Sequence, residues 1–199
     1  VMSTFTEKTV QADVTAIDLS FKFNGGGSAA AGSPLQRPLV GGDGGEAGGL
    51  TPVPAMSFVL PLSDRFEYLT LGAMISAPFG LKTEYDAGWK GRYHALESDV
   101  KIIDLTLAAS VELGDHFSAG LGAVIERSDV TLSNAIDFGT AIYAVPGGAQ
   151  MGFRPGNADG TMTIEGDNNA WGYVLGTTLS PSEDTHIAIS YRSKVEHKI

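Results

Sequence analysis

The sequence predicts an all-β protein: a transmembrane antiparallel β-barrel, of which this chain supplies a part. Two observations predict it. Hydrophobic residues recur with a period of two in seven separate segments, the pattern of a strand with two unlike faces. The connections between those segments alternate between short and long, as they do in a barrel with tight turns at one rim and extended loops at the other.

The segments follow in order. Ile17, Leu19, Phe21 and Phe23 fall on one face of the first, against Asp18, Ser20 and Lys22. The second runs through Pro54, Met56, Phe58 and Leu60, and the third sets Leu69, Leu71, Ala73 and Ile75 against Thr70, Gly72 and Ser76. In the fourth, Ile103, Leu105, Leu107, Ala109, Val111 and Leu113 alternate with Asp104, Thr106, Ala108, Ser110 and Glu112. Ala, Leu and Glu also favour helix, but helical spacing would put Asp104 and Ala108 on the face of Leu105, so the two-residue period fits better. The fifth sets Phe117, Ala119, Leu121, Ala123 and Ile125 against Ser118, Gly120, Gly122 and Glu126. Trp171, Tyr173, Leu175 and Leu179 mark the sixth, and Ile187, Ile189, Tyr191 and Val195 the seventh, opposite His186, Ser190, Arg192, Lys194 and Glu196.

Short turns are expected at Leu62-Ser63-Asp64-Arg65, Gly114-Asp115-His116 and Ser180-Pro181-Ser182-Glu183-Asp184. Long outer loops are expected at about 24–51, 77–98 and 129–169 of a single partial-barrel domain, 1–199. Tyr68, Trp89, Tyr93, Trp171, Tyr173 and Tyr191 lie near strand ends, where an interfacial aromatic girdle belongs.

Composition agrees. The mean hydropathy of +0.05 is close to zero, because transmembrane strands average a lipid face with a lumen face. No run approaches the 18–20 apolar residues of a membrane helix. A net charge of −10 argues against a nucleic-acid partner, and the absence of Cys removes thiolate chemistry and disulfides. Val1 is not an initiator Met, nothing near it reads as a signal peptide, and Lys198-Ile199 follows a strand-like run without a closing turn. An internal piece of a longer precursor is therefore expected.

No constellation of catalysis, metal or cofactor emerges. Gly41-Gly42-Asp43-Gly44-Gly45 lacks the Gly-Lys-Ser/Thr ending of a phosphate loop, and it reads as a surface loop. His94, His116, His186 and His197 show no ligand spacing, and Asp167-Asn168-Asn169 reads as turn chemistry. One cluster stands out: Ala77-Pro78-Phe79-Gly80-Leu81, where Pro lacks a ladder donor and Gly weakens a strand. A strand reaching it must bend or end. In a barrel wall, that break would leave a gap lined by Phe79 and Leu81.

At these residues the chain resembles the FadL/TodX family of outer-membrane transporters for hydrophobic compounds. The resemblance rests on Ala77-Pro78-Phe79-Gly80-Leu81-x-Thr83-x-Tyr85 and Trp89-x-Gly91-Arg92-Tyr93 with Ser98. It continues in Pro54-x-Met56-x-Phe58-x-x-Pro61-Leu62, Gly120-Leu121-Gly122, Trp171-Gly172 and Tyr191-Arg192-Ser193-Lys194-Val195. It implies the first seven strands of a fourteen-stranded barrel, without the N-terminal hatch and the second half. It also implies passive transport of long-chain fatty acids or other hydrophobic small molecules across the outer membrane of a Gram-negative bacterium, with no enzymatic activity and no cofactor. The ligand would enter a loop groove and leave sideways where the third strand kinks, at Ala77, Pro78, Phe79, Gly80 and Leu81. The groove would be built by Phe138, Ile142, Tyr143, Val145, Met151 and Phe153 of the third long loop. Outer-membrane lipid and lipopolysaccharide are the expected surroundings of a monomer. At the position after the fifth segment that would match one of the basic ligand contacts known in the family, this chain reads Thr131-Leu132-Ser133, with no Arg or Lys. Either the charge comes from elsewhere, such as Arg127, or the ligand is not an acid. A structural or adhesive barrel, or a general porin, is the competing expectation.

Overall fold

The computed structural model describes residues 5–62, 68–182 and 185–198. Seven strands form one curled antiparallel sheet: β1 (Thr9–Leu19), β4 (Gly49–Pro61), β5 (Leu69–Glu84), β6 (Glu97–Glu112), β7 (Phe117–Asp137), β8 (Asp159–Ser182) and β9 (Thr185–Arg192). Each pairs with the next in that order. Two short strands in the first loop, β2 (Ser28–Ala29) and β3 (Arg37–Pro38), pair with each other. One short helix, α1 (Phe138–Tyr143), sits between β7 and β8. No helix among the described residues is long and apolar enough to cross a membrane.

The sheet is inside out relative to a water-soluble domain. Cross-strand register stacks Met56, Ile75, Leu105, Ile125 and Trp171 in one row of the outer face, and Phe58, Ala73, Leu107, Ala123 and Tyr173 in the next. Leu121 and Ile189 on this face are 65% and 71% exposed, whereas Ser110 and Thr178 on the other face are 1% and 4% exposed. Burying polar side chains while presenting a continuous apolar sheet to the surroundings is stable only where the surroundings are hydrocarbon. The apolar stretch runs from Phe117 to Ile125 on β7 and from Trp171 to Leu179 on β8, about nine residues each, the length of a tilted transmembrane strand.

The period-two reading of the fourth segment as strand agrees with β6. The first segment differs. β1 begins at Thr9, and its outer face carries Val10, Ala12, Val14 and Ala16, paired with Phe58, Met56, Pro54 and Pro52. Ile17 and Leu19 lie on the opposite face, and Phe21 and Phe23 lie beyond the strand. The small Ala residues made the true lipid face less conspicuous than the Ile-Leu-Phe run that follows it.

Two of the expected loops are much shorter than their predicted bounds. The expected 77–98 loop is strand up to Glu84 and again from Glu97, and the expected 129–169 loop is strand up to Asp137 and again from Asp159. Above the apolar band both faces of the wall become polar. Outward positions there are Lys101, Asp99, Arg127, Asp129, Asp167 and Glu165. Alternation therefore disappears although the hydrogen-bond ladder continues. The first loop, between Leu19 and Gly49, is close to its expected bounds.

At the opposite rim, Gly114-Asp115-His116 makes a tight turn, with Gly114 at φ 102 and the Leu113 N–H bonded to the Phe117 carbonyl at 2.8 Å. Positive φ is the reason for glycine there. Residues 63–65 of the turn expected at 62–65, and residues 183 and 184 of that at 180–184, lie outside the described residues, but β8 remains strand to Ser182.

Candidate ligand path

Strand β5 does not end at Pro78. Ser76 pairs with Asp104, and pairing resumes with Phe79 opposite Ile102. Ala77 and Pro78 thus share one partner position, that of Ile103, which makes a β-bulge. An extra residue in a strand with a period of two exchanges the two faces. Before the bulge Leu71, Ala73 and Ile75 face outward. After it Phe79, Leu81 and Thr83 pair with Ile102, Val100 and Ser98 and face the lumen, while Lys82 and Glu84 face out. Lys82 confirms its side by bridging Glu84 at 3.2 Å and Glu97 at 3.6 Å. Without the bulge, Phe79 and Leu81 would belong to the lipid face.

The other edge of β5 is interrupted at the same level. Its pairing with β4 runs from Pro61↔Thr70 to Met56↔Ile75. Beyond that point, among the described residues, Gly49–Ala55 pair only with β1 and Ser76–Glu84 only with β6. The two edges meet again at the outer end, where the Glu84 N–H bonds to the Ala47 carbonyl at 3.0 Å. A cavity of about 600 Å³ lies there, with Leu50, Thr51, Lys82 and Tyr85 in its wall. The interruption is thus a bounded window in the ladder, with Phe79 and Leu81 on its inner side.

Polar lumen residues converge below it. The Arg192 guanidinium bonds Asp104 at 2.6 Å and Glu126 at 2.9 Å, and His197 lies 2.7 Å from the second oxygen of Glu126. On the strand between them, Gly172 and Ala170 hold the inner-face positions opposite Val124 and Glu126, and Val195 and Ser193 pack over Gly172. Arg127 has the opposite orientation. It is on the outward face, bound to Asp129 at 3.0 Å and Asp167 at 3.3 Å, and does not point into the lumen. Lys194 pairs with Glu196, and Val195 lies against Gly172 on the inner face. The alternation expected for the seventh segment therefore stops at Arg192, where regular pairing ends.

The outer loops pack into one layer. Tyr85 stacks on Trp89 at 4.0 Å, Phe23 meets Trp89 edge-on at 5.2 Å, and the indole N–H bonds the Ala95 carbonyl at 2.8 Å. Arg92, buried beside them, bonds Asp159 at 2.6 Å and the Trp89 carbonyl at 3.1 Å, and the Tyr93 hydroxyl donates to Asp159. Burial, followed by the hydrogen bond to Asp159, pushes the Tyr93 hydroxyl well above its ordinary range. Trp89 and Tyr93 therefore belong to a loop core and not to the aromatic girdle, where Trp171, Tyr173 and Tyr191 are exposed. Arg92→Met is expected to leave Asp159 without its ion partner and to loosen the β7–β8 tip. Limited proteolysis should cut residues 138–158 faster in this variant; an unchanged digestion rate would refute the tie.

All six residues expected in the loop groove lie in the tip between β7 and β8. Phe138, Ile142 and Tyr143 are on α1, Val145 follows it, and Met151 and Phe153 lie at a single 3₁₀ turn. Phe138, Val145 and Met151 are exposed; Ile142, Tyr143 and Phe153 are half-buried. Asp137 holds the tip by accepting from the Thr140 N–H at 2.8 Å and the Gly156 N–H at 3.1 Å, and Gly160 makes room for the Phe138 ring. Sequence reading missed Arg92–Asp159 and Arg192–Asp104–Glu126, whose partners stand 67, 88 and 66 residues apart.

An inverted sheet with a polar lumen, a bulged strand and a loop layer on one rim defines an outer-membrane β-barrel wall. The whole chain, residues 1–199, matches the family model of outer membrane protein transport proteins (OMPP1/FadL/TodX), and the protein belongs to that family. It is an outer-membrane protein of a Gram-negative bacterium, from a family of transporters of hydrophobic compounds and not of enzymes. It is 26% identical to a long-chain fatty acid transport protein of Escherichia coli O6:H1 over 72% of this chain and 33% of that protein. It is 28% identical to outer membrane protein P1 of Haemophilus influenzae over 72% of this chain and 34% of that protein. The crystal structure of a Pseudomonas aeruginosa FadL homologue superposes with a TM-score of 0.79 at 26% identity, covering 98% of this chain and 45% of that one. The chain spans about a third of the length of its curated relatives.

Proposed function

We propose that this chain forms part of a passive channel that admits long-chain fatty acids or other hydrophobic molecules and releases them sideways, between β4 and β5, into the membrane. The observation that carries the proposal is the ladder interruption beside the Ala77–Pro78 bulge, with Phe79 and Leu81 turned into the lumen. The exposed Phe138, Val145 and Met151 of the loop tip serve as the first contact. An acyl chain that leaves water gains about 0.8 kcal/mol for each methylene buried, so no catalysis or energy source is needed. With Arg127 turned outward and Arg192 held by two carboxylates, this part of the lumen favours an uncharged hydrophobe over a carboxylate.

The test is the Pro78→Val/Gly80→Val double variant of the full-length protein, with uptake of a labelled fatty acid and a labelled alkane measured in parallel. Val at both positions favours regular, continuous pairing. The variant is expected to insert normally and to lose uptake of both, while ligand binding at the loop tip survives. Uptake at the unmodified rate by a correctly inserted variant would remove lateral release. A general porin would instead pass small hydrophilic solutes and ignore the substitutions.

A further inference from the structure

Hydrogen-bond direction along β4 assigns a role to two prolines outside the bulge. The Leu62 N–H bonds the Leu69 carbonyl at 2.9 Å, in register with the Pro61↔Thr70 to Met56↔Ile75 pairing. Even-numbered residues of β4 therefore direct their N–H groups toward β5. The opposite edge agrees: the Ala47 N–H bonds the Phe21 carbonyl at 3.0 Å, in register with Gly49↔Leu19, so odd-numbered residues serve β1. Beyond the last pair with β5, the N–H positions that face the interruption are those of Leu50, Pro52 and Pro54. Proline occupies two of these positions, and it has no N–H.

We infer that Pro52 and Pro54 keep the wall open from the β4 side, an assignment that rests on the lateral-release reading for its functional meaning. Extending the present register would set Pro54 opposite Ala77; past the bulge the β5 groups that face β4 are those of even-numbered residues, as the Glu84 N–H shows, so with that one-residue shift Pro52 would come opposite Gly80. Both would be hydrogen-bonded pairs, which normally exchange two bonds; with proline each can make only one. The same residues cost nothing on the other edge, because Val14↔Pro54 and Ala16↔Pro52 are the non-hydrogen-bonded pairs of the β1 ladder. Their surroundings give a second reason. Pro52, Pro54 and the 69%-exposed Leu50 continue the outward apolar face of β4, next to Val14. An unpaired N–H in hydrocarbon is costly, and proline leaves none. The two residues thus weaken the drive to close and lower the penalty for staying open, since only their carbonyls are left to pair. The bulge performs the complementary task on β5, so the two rims of the window resist pairing by different means.

The experiment compares the full-length protein with its Pro52→Val/Pro54→Val variant and with a Leu50→Cys/Lys82→Cys variant, whose two positions both face outward and line the same cavity at the window, bridged by a short thiol-reactive cross-linker. A single Pro54→Val variant restores only the pair adjacent to Met56↔Ile75 and serves if the double variant inserts poorly. Amide hydrogen exchange in nanodiscs reads pairing directly, and uptake of labelled fatty acid and alkane reads function. The valines are expected to slow exchange at residues 52 and 54 and at the facing part of β5. Uptake should fall about tenfold, the factor that two added hydrogen bonds supply, and the bridged variant should be blocked. A blocked bridge with unprotected valine amides and normal uptake would overturn the role of the prolines. Protected amides with normal uptake, in a protein that the bridge also leaves active, would support that role and overturn lateral release.

Discussion

Arg192→Met is expected to destabilise the full-length barrel by less than the roughly 3–5 kcal/mol of removing one partner from a fully buried ionic cluster, because the Arg192 side chain is 41% exposed while the two carboxylates it holds are buried. Asp104 is 1% exposed and already has one oxygen without a hydrogen-bond partner among the described residues. Its other oxygen depends on Arg192, and Glu126 shares the same guanidinium nitrogen. Removing the cation leaves two neighbouring carboxylates in a site that water reaches poorly. The measurement is urea unfolding of the protein in lipid vesicles. Asp104→Asn/Glu126→Gln/Arg192→Met should recover most of the loss, because replacing a whole buried cluster costs far less than breaking it. A single variant as stable as the parent would show that the cluster is solvated in the complete barrel.

The second large effect tests the faces of the sheet. Leu107 lies in the middle of the outward positions from Ile103 to Val111 on β6 and is half exposed. Arginine there is expected to cost about 2–4 kcal/mol, as at a bilayer midplane. Thr106→Arg, one residue away, places the same charge on the lumen face and should be tolerated. Equal losses for the two variants would mean that the outward face does not meet lipid.

The strands of the apolar band were legible because lipid on one side and polar lumen on the other write a period of two directly into the chain. Met56 to Leu60, Leu105 to Leu113 and Trp171 to Leu179 carry it plainly. Beyond the band the same strands continue through residues such as Asp129–Asp137 and Asp159–Asn169. There both faces meet polar surroundings, so hydrophobicity no longer distinguishes strand from loop. The start of β1 was hidden for a related reason, since Ala12 and Ala16 give a weak apolar signal between Val10 and Val14.

At the candidate site the sequence by itself determined that regular pairing must fail near Pro78, because a missing donor is a property of the residue and needs no fold to be read. It also determined the class of wall, through alternation and charge. Only the tertiary structure decided what the failure becomes. The register across β5 and β6 turned it into a bulge and sent Phe79 and Leu81 inward. The termination of pairing at Met56↔Ile75 set the lower limit of the interruption, and the Glu84–Ala47 bond set the upper one. Likewise the meaning of Pro52 and Pro54, and the closure of Arg192 on Asp104 and Glu126, depend on which strand lies beside which. Facing and partnership are set by cross-strand register, and register is a relation between segments tens of residues apart that no local pattern contains.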